Sequence, residues 1–475
     1  MLDIKKLIIK NWDKVFLISE SNDLSYGELY TKLSLIHYEF EKLNIKKDDR
    51  VAIISSNSED YVIVFLALIF YGATAVPINN NFSIDGIFNI LKNINCTHVL
   101  YDDNFSKLKS AKNKILSYSI NLFNKVDVNY SKQHIIPQIN FDRFSTIVLT
   151  SGSAGYPKGV VHSLGNHIYS ALGSNLNIPF GEGDRWLLSL PLFHVGGIAI
   201  IFRALVSGGA VVLPKSRNDL LISLKMKDIS HLSLVPTQLF RLIQKMEQKK
   251  NNYNLQAVLI GGDRISCSLF KKAQKLHLPL YLSYGSTEMS SQITTTNCLT
   301  ELSDYISYGK PLKYREIKIK ENGKIFVKGK TLFKGYVTNK CIDKCRDTNG
   351  WFETGDKGKF NADGNLLISG RVDNMFISGG ENIHPEEIER CLEENDKVLK
   401  AVVVPVKDVE LGDIPVVFIH SKFELKSNKK EYKKTIEQHL PQFKWPKYYF
   451  ELPDSGNSMK INKNELIKLA NKFIS

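Results

Sequence analysis

Cysteine is scarce in this 475-residue sequence, and the few cysteines are far apart. The six of them are too dispersed for the disulfide framework that stabilises small secreted domains. Cys341 and Cys345 are spaced as C-x₃-C, but no second Cys or His pair lies near them in sequence, so a structural zinc site is not expected. The cysteine usage predicts a reducing, cytoplasmic location.

Long apolar runs are also absent. The most apolar stretch, residues 61–76, is shorter than a bilayer span and is interrupted by Gly72, so it predicts a core helix that leads into a strand. The first ten residues carry charge on both sides of a few apolar residues and lack the apolar region of a signal peptide. We therefore expect no transmembrane segment.

Acidic residues are outnumbered by basic ones, 49 to 63, which gives a formal net charge of +14. Such an excess favours anionic ligands such as nucleotides. The lysines are scattered, and many stand beside asparagine, so nucleic-acid binding is not expected. Oligomeric state is not predictable from this composition, and a homodimer is left open. The apolar content of 43% is ordinary for a globular protein, and the length predicts two to four domains.

Short β-branched runs alternate with helical periodicity up to about residue 300. This alternation predicts parallel sheets that are covered by helices on both faces, with ligands at the carboxyl ends of the strands. Short strands with Gly and Asn turns follow, and then a compact mixed module. The prediction is an α/β chain with a large N-terminal domain of doubly wound sheets (residues 1–372), which includes a small β-rich subdomain (about 301–370), and a C-terminal α+β domain (residues 373–475).

Residues 150–159 (TSGSAGYPKG) follow a short apolar strand. Three glycines, several hydroxyls and one lysine in this segment expose backbone N–H groups together with a cation, which suits a polyphosphate. The loop is not the P-loop of ordinary nucleotide hydrolases. Pro157 precedes Lys158, and Gly159 stands where the magnesium-binding Ser or Thr should be.

Further landmarks occur in one order along the chain. They are residues 190–194 (LPLFH), 261–262 (GG), 284–288 (YGSTE), 350–356 (GWFETGD), 370–373 (GRVD), 379–389 (GGENIHPEEIE) and Lys460. With these motifs the chain resembles the adenylate-forming superfamily, which includes acyl-CoA synthetases, adenylation domains of peptide synthetases and luciferases. The resemblance covers essentially the whole chain, and it implies a C-terminal domain that moves.

Within that superfamily, residues 186–197 (WLLSLPLFHVGG) and 233–239 (SLVPTQL) look closest to the o-succinylbenzoate-CoA ligases of menaquinone biosynthesis. Three residues depart from the usual pattern: Ala154, Asp263 and Met459. Ala154 and Met459 should be tolerated, because backbone groups and the neighbouring lysine act there. Asp263 is expected near the adenine and acyl pockets, and it leaves the identity of the acid substrate open.

The resemblance implies a two-step reaction. A carboxylate attacks the α-phosphorus of Mg²⁺-bound ATP to give an acyl adenylate and pyrophosphate, and coenzyme A then displaces AMP. Such transfers depend on positioning and charge neutralisation. The residues expected to bind ATP or coenzyme A are Thr150, Ser151, Gly152, Ser153, Gly155, Lys158, Gly261, Gly262, Tyr284, Gly285, Asp356, Arg371, Gly379 and Gly380.

Four residues are expected to act on the reacting groups. Thr287 would bond the α-phosphate, and Glu288 would be the magnesium ligand. Lys460 would bridge the attacking carboxylate and the α-phosphate, with Lys463 as its rival. His194 would contact the acid or wall its pocket. The C-terminal domain would deliver Lys460 first and then turn about Asp373 to present Gly379 and Gly380 beside the pantetheine channel.

The acid itself is less defined by the sequence. o-Succinylbenzoate carries a second carboxylate, and the candidates to meet it are His194, Arg203, Ser233, Thr237 and Gln238. An aryl or medium-chain fatty acid remains an alternative substrate. An adenylation enzyme that feeds a carrier protein is less favoured, because no carrier domain follows Lys460. A non-catalytic nucleotide-binding protein is disfavoured, because Lys158, Glu288 and Lys460 are all present.

Overall fold

The computed structural model describes residues 4–20, 22–110, 115–125, 140–150, 157–215, 220–226, 228–248, 253–299, 306–337, 341–379, 381–408, 411–453 and 462–474. Up to residue 119 these form α1 (Ile4–Lys10), β1 (Val15–Ile18), β2 (Asp23–Ser25), α2 (Tyr26–Lys42), β3 (Arg50–Ile54), α3 (Glu59–Tyr71), β4 (Thr74–Pro77), α4 (Ile84–Asn93), β5 (His98–Tyr101) and β6 (Leu116–Ser119).

Helix α3 and strand β4 contain the most apolar stretch of the sequence. The helix begins after Ser58, whose side chain accepts a hydrogen bond from the Tyr61 N–H, and it ends at Gly72 with φ of 101°. Its residues from Tyr61 to Phe70 are all buried, as expected for a core helix. In the described part of the chain, no helix is both long and apolar enough to cross a bilayer.

The central part of the chain follows the same alternation. Its elements are β7 (Phe144–Thr150), β8 (Lys158–Ser163), α5 (Leu164–Asn177), β9 (Arg185–Leu187), α6 (Val195–Ser207), β10 (Ala210–Val212), α7 (Leu220–Met226), β11 (His231–Leu234), α8 (Pro236–Gln248), β12 (Ala257–Ile260), α9 (Cys267–Lys275), β13 (Leu280–Ser286) and β14 (Ser291–Thr295). Strand β13 continues through Tyr284 and Gly285 because these residues pair with Thr294 and Gln292 of β14.

The β-rich stretch divides among three sheets. It contains β15 (Lys310–Pro311), β16 (Arg315–Ile319), β17 (Lys324–Gly329), β18 (Gly335–Val337), β19 (Ile342–Asp343), β20 (Phe352–Phe360) and β21 (Leu366–Arg371). Strands β16, β17, β20 and β21 form an antiparallel sheet of their own. Strands β18 and β19 extend an eight-stranded sheet, and β15 extends a nine-stranded one, which ties this stretch to the larger sheets.

The C-terminal stretch is the mixed module that the sequence predicts. It consists of β22 (Phe376–Ser378), β23 (Glu381–Ile383), α10 (Pro385–Glu393), β24 (Val398–Asp408), β25 (Gly412–Ser421), α11 (Leu425–His439), β26 (Tyr448–Glu451) and α12 (Lys463–Ile474). The long pair β24 and β25 is antiparallel. Alternate residues of β24 enter two core clusters: Ala401 and Val403 enter one, and Val402 and Val404 the other.

Both large sheets are mostly parallel. The orders are β15-β14-β13-β12-β11-β9-β10-β1-β2 and β19-β18-β8-β7-β4-β3-β5-β6. Strand β3 shows that helices cover both faces, since Val51 and Ile53 enter one core cluster and Ala52 and Ile54 another. The chain therefore has the predicted α/β fold. Parallel strands end at one edge of a sheet, so the segments after β9, β11 and β12 lie along one edge.

Candidate active site

The loop predicted to cradle phosphates joins β7 and β8, which pair up to Thr150 and Lys158. The Thr150 hydroxyl lies 3.5 Å from the Lys158 carbonyl oxygen, so the two ends of the loop lie side by side. The rest of the predicted cradle lies outside the described residues: Ser151, Gly152, Ser153 and Gly155.

The side chain of Lys158 faces a tyrosine that no motif singled out. Lys158 Nζ lies 5.4 Å from the ring centroid of Tyr336, within the range of a cation–π contact. The Tyr336 hydroxyl donates a hydrogen bond of 2.7 Å to Glu288 Oε1. Burial raises the pKa of Tyr336, and Glu288 raises it further, so the phenol keeps its proton. Tyr336 thereby links the predicted phosphate-binding cation to the predicted metal-binding carboxylate.

Thr287 and Glu288 lie in a short 3₁₀ turn (Thr287–Met289) directly after β13. The Ser290 N–H donates to the Thr287 carbonyl at 3.0 Å, with Ser290 in the left-handed region at φ of 54°. From the segment between β17 and β18, the Phe333 N–H donates to the Glu288 carbonyl at 2.7 Å. The backbone of the turn is thus fixed by bonds from two different segments.

Glu288 suits a magnesium ion that arrives with a polyphosphate. Mg²⁺ takes one or two carboxylates and completes its octahedral shell with water and phosphate oxygens. Within the residues that the structure describes, no cluster of three or more His, Cys, Asp or Glu side chains is arranged to hold a metal ion by itself. A single carboxylate, linked through Tyr336 to Lys158, is expected at a site where the bound substrate supplies the other ligands of Mg²⁺.

Asp356 is predicted to accept the ribose hydroxyls. Its carboxylate contacts two other residues that are predicted to bind the nucleotide. The Tyr284 hydroxyl donates to Asp356 Oδ2 at 2.6 Å, and Arg371 Nη1 lies 3.4 Å from Asp356 Oδ1. Burial raises the pKa of Asp356, and the hydrogen bond from Tyr284 opposes that rise. Burial, followed by the charge of Asp356, raises the pKa of Tyr284 well above its usual value, so Tyr284 remains a donor. The structure thus brings together side chains from positions 284, 356 and 371.

Geometry requires glycine at two of the three predicted glycine positions at this edge, Gly262 and Gly285. Gly262 has φ of 85°, in the left-handed region, and a Cβ on Gly285 would lie 2.1 Å from the Ser291 carbonyl oxygen. The Gly261 N–H donates to the Leu234 carbonyl at 3.1 Å, which keeps the ends of β12 and β11 together. A ligand at this edge would meet backbone at these positions.

The residues after Gly262 contact the C-terminal part of the chain. Asp263 Oδ2 lies 3.1 Å from Lys400 Nζ on β24. Arg264 pairs with Glu393, whose side chain is only 2% exposed. The carboxylate of Asp263, which the sequence predicts near the adenine and acyl pockets, is therefore engaged by a lysine of the C-terminal sheet.

We expect Asp263→Ala to leave the preference among carboxylic acids unchanged. The Asp263 side chain is 60% exposed, and an ion pair of this kind contributes about 0.2–1 kcal/mol. The Michaelis constants for the acid and for ATP should stay within about 3-fold of the unmodified values. Steady-state kinetics with several acids measures this, and Asp23→Ala, an exposed aspartate of β2, is the control. A changed order of preference would place Asp263 in the acyl pocket after all.

The sequence predicts two sets of active residues in the C-terminal part of the chain: the glycine pair 379–380, and Lys460 with its rival Lys463. The structure describes one residue of each set. Gly379 has φ of 56°, and its N–H donates to the Leu411 carbonyl at 2.9 Å, which places it among the C-terminal strands. Gly380 and Lys460 lie outside the described residues. Lys463, the rival of Lys460, lies 3.3 Å from Glu389 Oε1.

His194 occupies the N-cap position of α6, at the end of the loop that follows β9, and its side chain makes no capping hydrogen bond. Its ring centroid lies 4.7 Å from that of Phe193. Asn57 holds this loop, because its Nδ2 donates to the Leu190 carbonyl at 2.9 Å and its Oδ1 accepts from the Leu192 N–H at 3.0 Å. Sequence reasoning missed Asn57, since its partners are more than 130 residues away.

Two of the side chains considered for the second carboxylate already serve the local fold. Ser233 Oγ accepts a hydrogen bond of 3.0 Å from Trp186 Nε1. Gln238 accepts from the Val235 N–H and donates to the Ser189 carbonyl, both at 3.1 Å. Thr237 lies in the first turn of α8. These bonds leave Ser233 and Gln238 less suited to a strong charge interaction.

Arg203, on α6, is a buried cation with neutral partners. Its Nε donates to Ser174 Oγ at 2.9 Å and its Nη2 to Gln292 Oε1 at 2.6 Å, and its guanidinium lies 4.7 Å from the ring of Trp186. Burial lowers the pKa of Arg203 to about 9. Arg315 is also buried, and Arg203 adds to the lowering of its pKa. Among the described residues neither guanidinium has a carboxylate partner, and such an interior favours an anionic ligand.

Residues of the kinds that the sequence predicts for a nucleotide, a magnesium ion and an acid thus occur in one fold, as expected of an enzyme that activates an acid with a nucleotide. The chain belongs to the AMP-binding enzyme family, whose model matches residues 9–337. It is 31% identical over 475 residues to the 2-succinylbenzoate–CoA ligase of Bacillus velezensis, with 96% of each chain covered.

Solved structures of a related enzyme are similar over nearly the whole chain. The o-succinylbenzoate coenzyme A synthetase of Bacillus subtilis in complex with its acyl-adenylate intermediate has a TM-score of 0.85 and 28% identity, and 98% of this chain and 97% of that one are covered. The same enzyme in complex with ATP and magnesium ion has a TM-score of 0.85 and 28% identity, with 98% of both chains covered.

Proposed function

We propose that this protein joins 2-succinylbenzoate to coenzyme A in two steps, through an acyl adenylate, as a ligase of menaquinone biosynthesis. ATP and coenzyme A are its co-substrates, and AMP and pyrophosphate are the by-products. The observation that carries the proposal is the 31% identity to a 2-succinylbenzoate–CoA ligase across 96% of both chains. The buried, cationic surroundings of Arg203 support an acid with a second carboxylate.

In the first step the chain positions ATP and neutralises the charge on its phosphates. Lys158 and the loop from Thr150 to Gly155 would bind the β- and γ-phosphates, and Thr287 would bond the α-phosphate. Asp356 would accept the ribose hydroxyls, because its two oxygens form a paired acceptor that Tyr284 and Arg371 orient.

A bound Mg²⁺ would neutralise developing charge on the phosphate oxygens. Glu288 would hold the ion through the carboxylate that Tyr336 orients. Lys460 would approach the attacking carboxylate and the α-phosphate, where negative charge develops. In the second step Gly379 and Gly380 would line the path of the pantetheine thiol, after the C-terminal domain turns about Asp373.

Arg203 is the group we assign to the second carboxylate of the acid. A carboxylate brought to a buried guanidinium supplies the charge that its neutral partners Ser174 and Gln292 lack. His194 stands nine residues before Arg203, a separation of two and a half helical turns, so the two residues project from opposite sides of α6 and the assignment rests on Arg203 alone.

We expect Arg203→Met to raise the KM for 2-succinylbenzoate by about 100-fold, because removing one partner of a buried charge pair costs roughly 2–5 kcal/mol. The KM for ATP should change by less than about 3-fold, since the proposed nucleotide contacts are elsewhere. Kinetics with 2-succinylbenzoate and with benzoate, which lacks the second carboxylate, measures the effect. Arg203→Lys keeps the charge and should be intermediate. Equal losses with both acids would show that Arg203 only supports the fold.

The identity of the acid is tested by pyrophosphate release and thioester formation with a panel of acids. We expect 2-succinylbenzoate to be used preferentially, and only with ATP, Mg²⁺ and coenzyme A all present. A clear preference for octanoate or benzoate would overturn the assignment and favour an aryl or medium-chain acyl-CoA ligase. Pyrophosphate release without a thioester would favour transfer to a carrier protein.

The cysteines bear on the cellular location. All six cysteines lie in the described part of the chain and none forms a disulfide, as suits a reducing compartment. We therefore propose a cytoplasmic enzyme. A homodimer remains a proposal that sedimentation equilibrium can test.

A further inference from the structure

One face of β8 is directed toward the turn that carries Thr287 and Glu288. Side chains alternate along a strand, so Lys158, Val160 and His162 share a face. Val160 lies in the same core cluster as Met289, the last residue of that turn. The strand that begins with the predicted phosphate-binding lysine therefore also presents His162 toward the predicted catalytic turn.

His162 contacts this turn directly. The side chain is fully buried, and its Nε2 lies 2.7 Å from the Thr287 carbonyl oxygen. Because a carbonyl only accepts hydrogen bonds, Nε2 carries the proton and donates it. The Thr287 carbonyl also accepts from the Ser290 N–H at 3.0 Å. The orientation of the peptide unit that joins Thr287 to Glu288 thus depends on two donors, one of them a side chain 125 residues away.

Polar contacts on the other side of the imidazole ring orient His162 itself. With Nε2 protonated, its Nδ1 is an acceptor, and the Thr146 hydroxyl lies 3.2 Å from it. Thr146 Oγ1 in turn lies 2.8 Å from His167 Nε2, and a hydroxyl that donates to His162 can accept there from a protonated His167 Nε2. The His167 ring stacks on Phe202 at 4.9 Å with an interplanar angle of 6°. The Thr287 carbonyl sets the tautomer of His162, and the Thr146 hydroxyl can donate to the Nδ1 atom that this tautomer leaves unprotonated.

The same surroundings keep both imidazoles neutral. Burial lowers the pKa of His162 to about 4, although its hydrogen bond to Thr287 opposes the effect. Burial lowers the pKa of His167 well below its usual value, and His162 contributes to the lowering. His162 therefore acts as a fixed hydrogen-bond donor at neutral pH rather than as a proton carrier.

We infer that His162 is a positioning residue for adenylate formation, which acts by holding the Thr287–Glu288 peptide in the orientation that aims the Thr287 hydroxyl at the α-phosphate and the Glu288 carboxylate at magnesium. The inference rests on the proposed roles of Thr287 and Glu288. Tyr336 holds the carboxylate of Glu288, and His162 holds the carbonyl of the preceding residue, Thr287. Residues that orient metal ligands in this way commonly affect activity by about 10- to 100-fold.

The test compares two substitutions of His162, one that removes the hydrogen-bond donor to the Thr287 carbonyl and one that retains a donor. His162→Leu introduces an apolar side chain of similar size and leaves the Thr287 carbonyl without its side-chain donor. His162→Gln retains an N–H at the end of the side chain that can donate to the same carbonyl. His98→Leu, at another buried histidine on β5, controls for the loss of an imidazole from the core. Thermal unfolding of each protein is measured alongside the kinetics.

For His162→Leu we expect adenylate formation to fall by about 10- to 100-fold, with a rise in the Mg²⁺ concentration needed for half-maximal rate. His162→Gln should recover to within about 3-fold of the unmodified enzyme. A role confined to packing would instead give equal losses in both variants, or a loss that follows the melting temperature and leaves the magnesium dependence unchanged. Either result would overturn the inference.

Two further variants separate this inference from the proposed function. If Thr287→Ala and Glu288→Gln leave adenylate formation intact, the proposed site itself is wrong. If those variants are impaired and His162→Leu has unmodified kinetics, only the positioning role of His162 is wrong.

Discussion

Replacing Glu288 with Gln lowers the rate of acyl-adenylate formation by roughly 10³-fold in our expectation, since a metal ion supplies several kcal/mol of charge stabilisation. The substitution is nearly isosteric, and the amide oxygen can still accept the hydrogen bond from the Tyr336 hydroxyl. The turn should therefore keep its shape while the site loses the negative charge that binds Mg²⁺. Pyrophosphate release at saturating acid and ATP measures the change.

Raising the Mg²⁺ concentration should recover part of the lost rate, because the defect lies in metal binding. Glu316→Gln, at an exposed position of β16, is the matched control and should behave as the unmodified enzyme. If Glu288→Gln kept more than about a third of the rate, the metal would have to be held elsewhere. That result would contradict the proposed magnesium site, and the family assignment would stand.

Replacing Lys460 with Ala should separate the two half-reactions. We expect adenylate formation to fall by about 100- to 1,000-fold, the usual cost of removing one preorganised group from developing negative charge. Conversion of a supplied acyl adenylate to the thioester should stay within about 3-fold, because the proposed second step does not use this lysine. Both half-reactions are measured on the full chain.

Lys463→Ala is the informative comparison for Lys460. Lys463 Nζ lies 3.3 Å from Glu389 Oε1, whose side chain is 12% exposed, so its charge is already engaged within the C-terminal part. Its loss should affect stability more than either half-reaction. Equal loss of both half-reactions in Lys460→Ala would refute the proposal of two domain orientations, and an adenylation defect in Lys463→Ala alone would exchange the roles of the two lysines.

Much of the nucleotide site was predictable because its residues stand in short, ordered motifs. Tyr284, Asp356 and Arg371 were each predicted separately as nucleotide contacts, and the structure joins them by hydrogen bonds around Asp356. Their predicted roles toward ATP stay predictions. Tyr336 was not predicted, because a tyrosine next to a glycine has no distinctive pattern and its partner Glu288 is 48 residues away.

Asp263 shows what a sequence position leaves open. It follows the double glycine, so it was expected close to the adenine and acyl pockets, and that expectation stays a prediction. The structure adds that its carboxylate lies against Lys400, 137 residues later in the chain. Position in a motif predicts where the backbone of a residue runs, whereas the direction of its side chain depends on which charges the rest of the fold brings near.

The amino-acid sequence alone determined the alternation of strands and helices, the family and the kinds of residue available to bind phosphate, ribose and magnesium. These properties are local, because side-chain periodicity and short motifs specify elements and loop chemistry. Only the tertiary structure decided that His162 donates to Thr287, that Tyr336 orients Glu288 and that Arg203 is buried among neutral partners. Such contacts join residues far apart in the chain, and they exist only once strand register and helix packing have set which side chains meet.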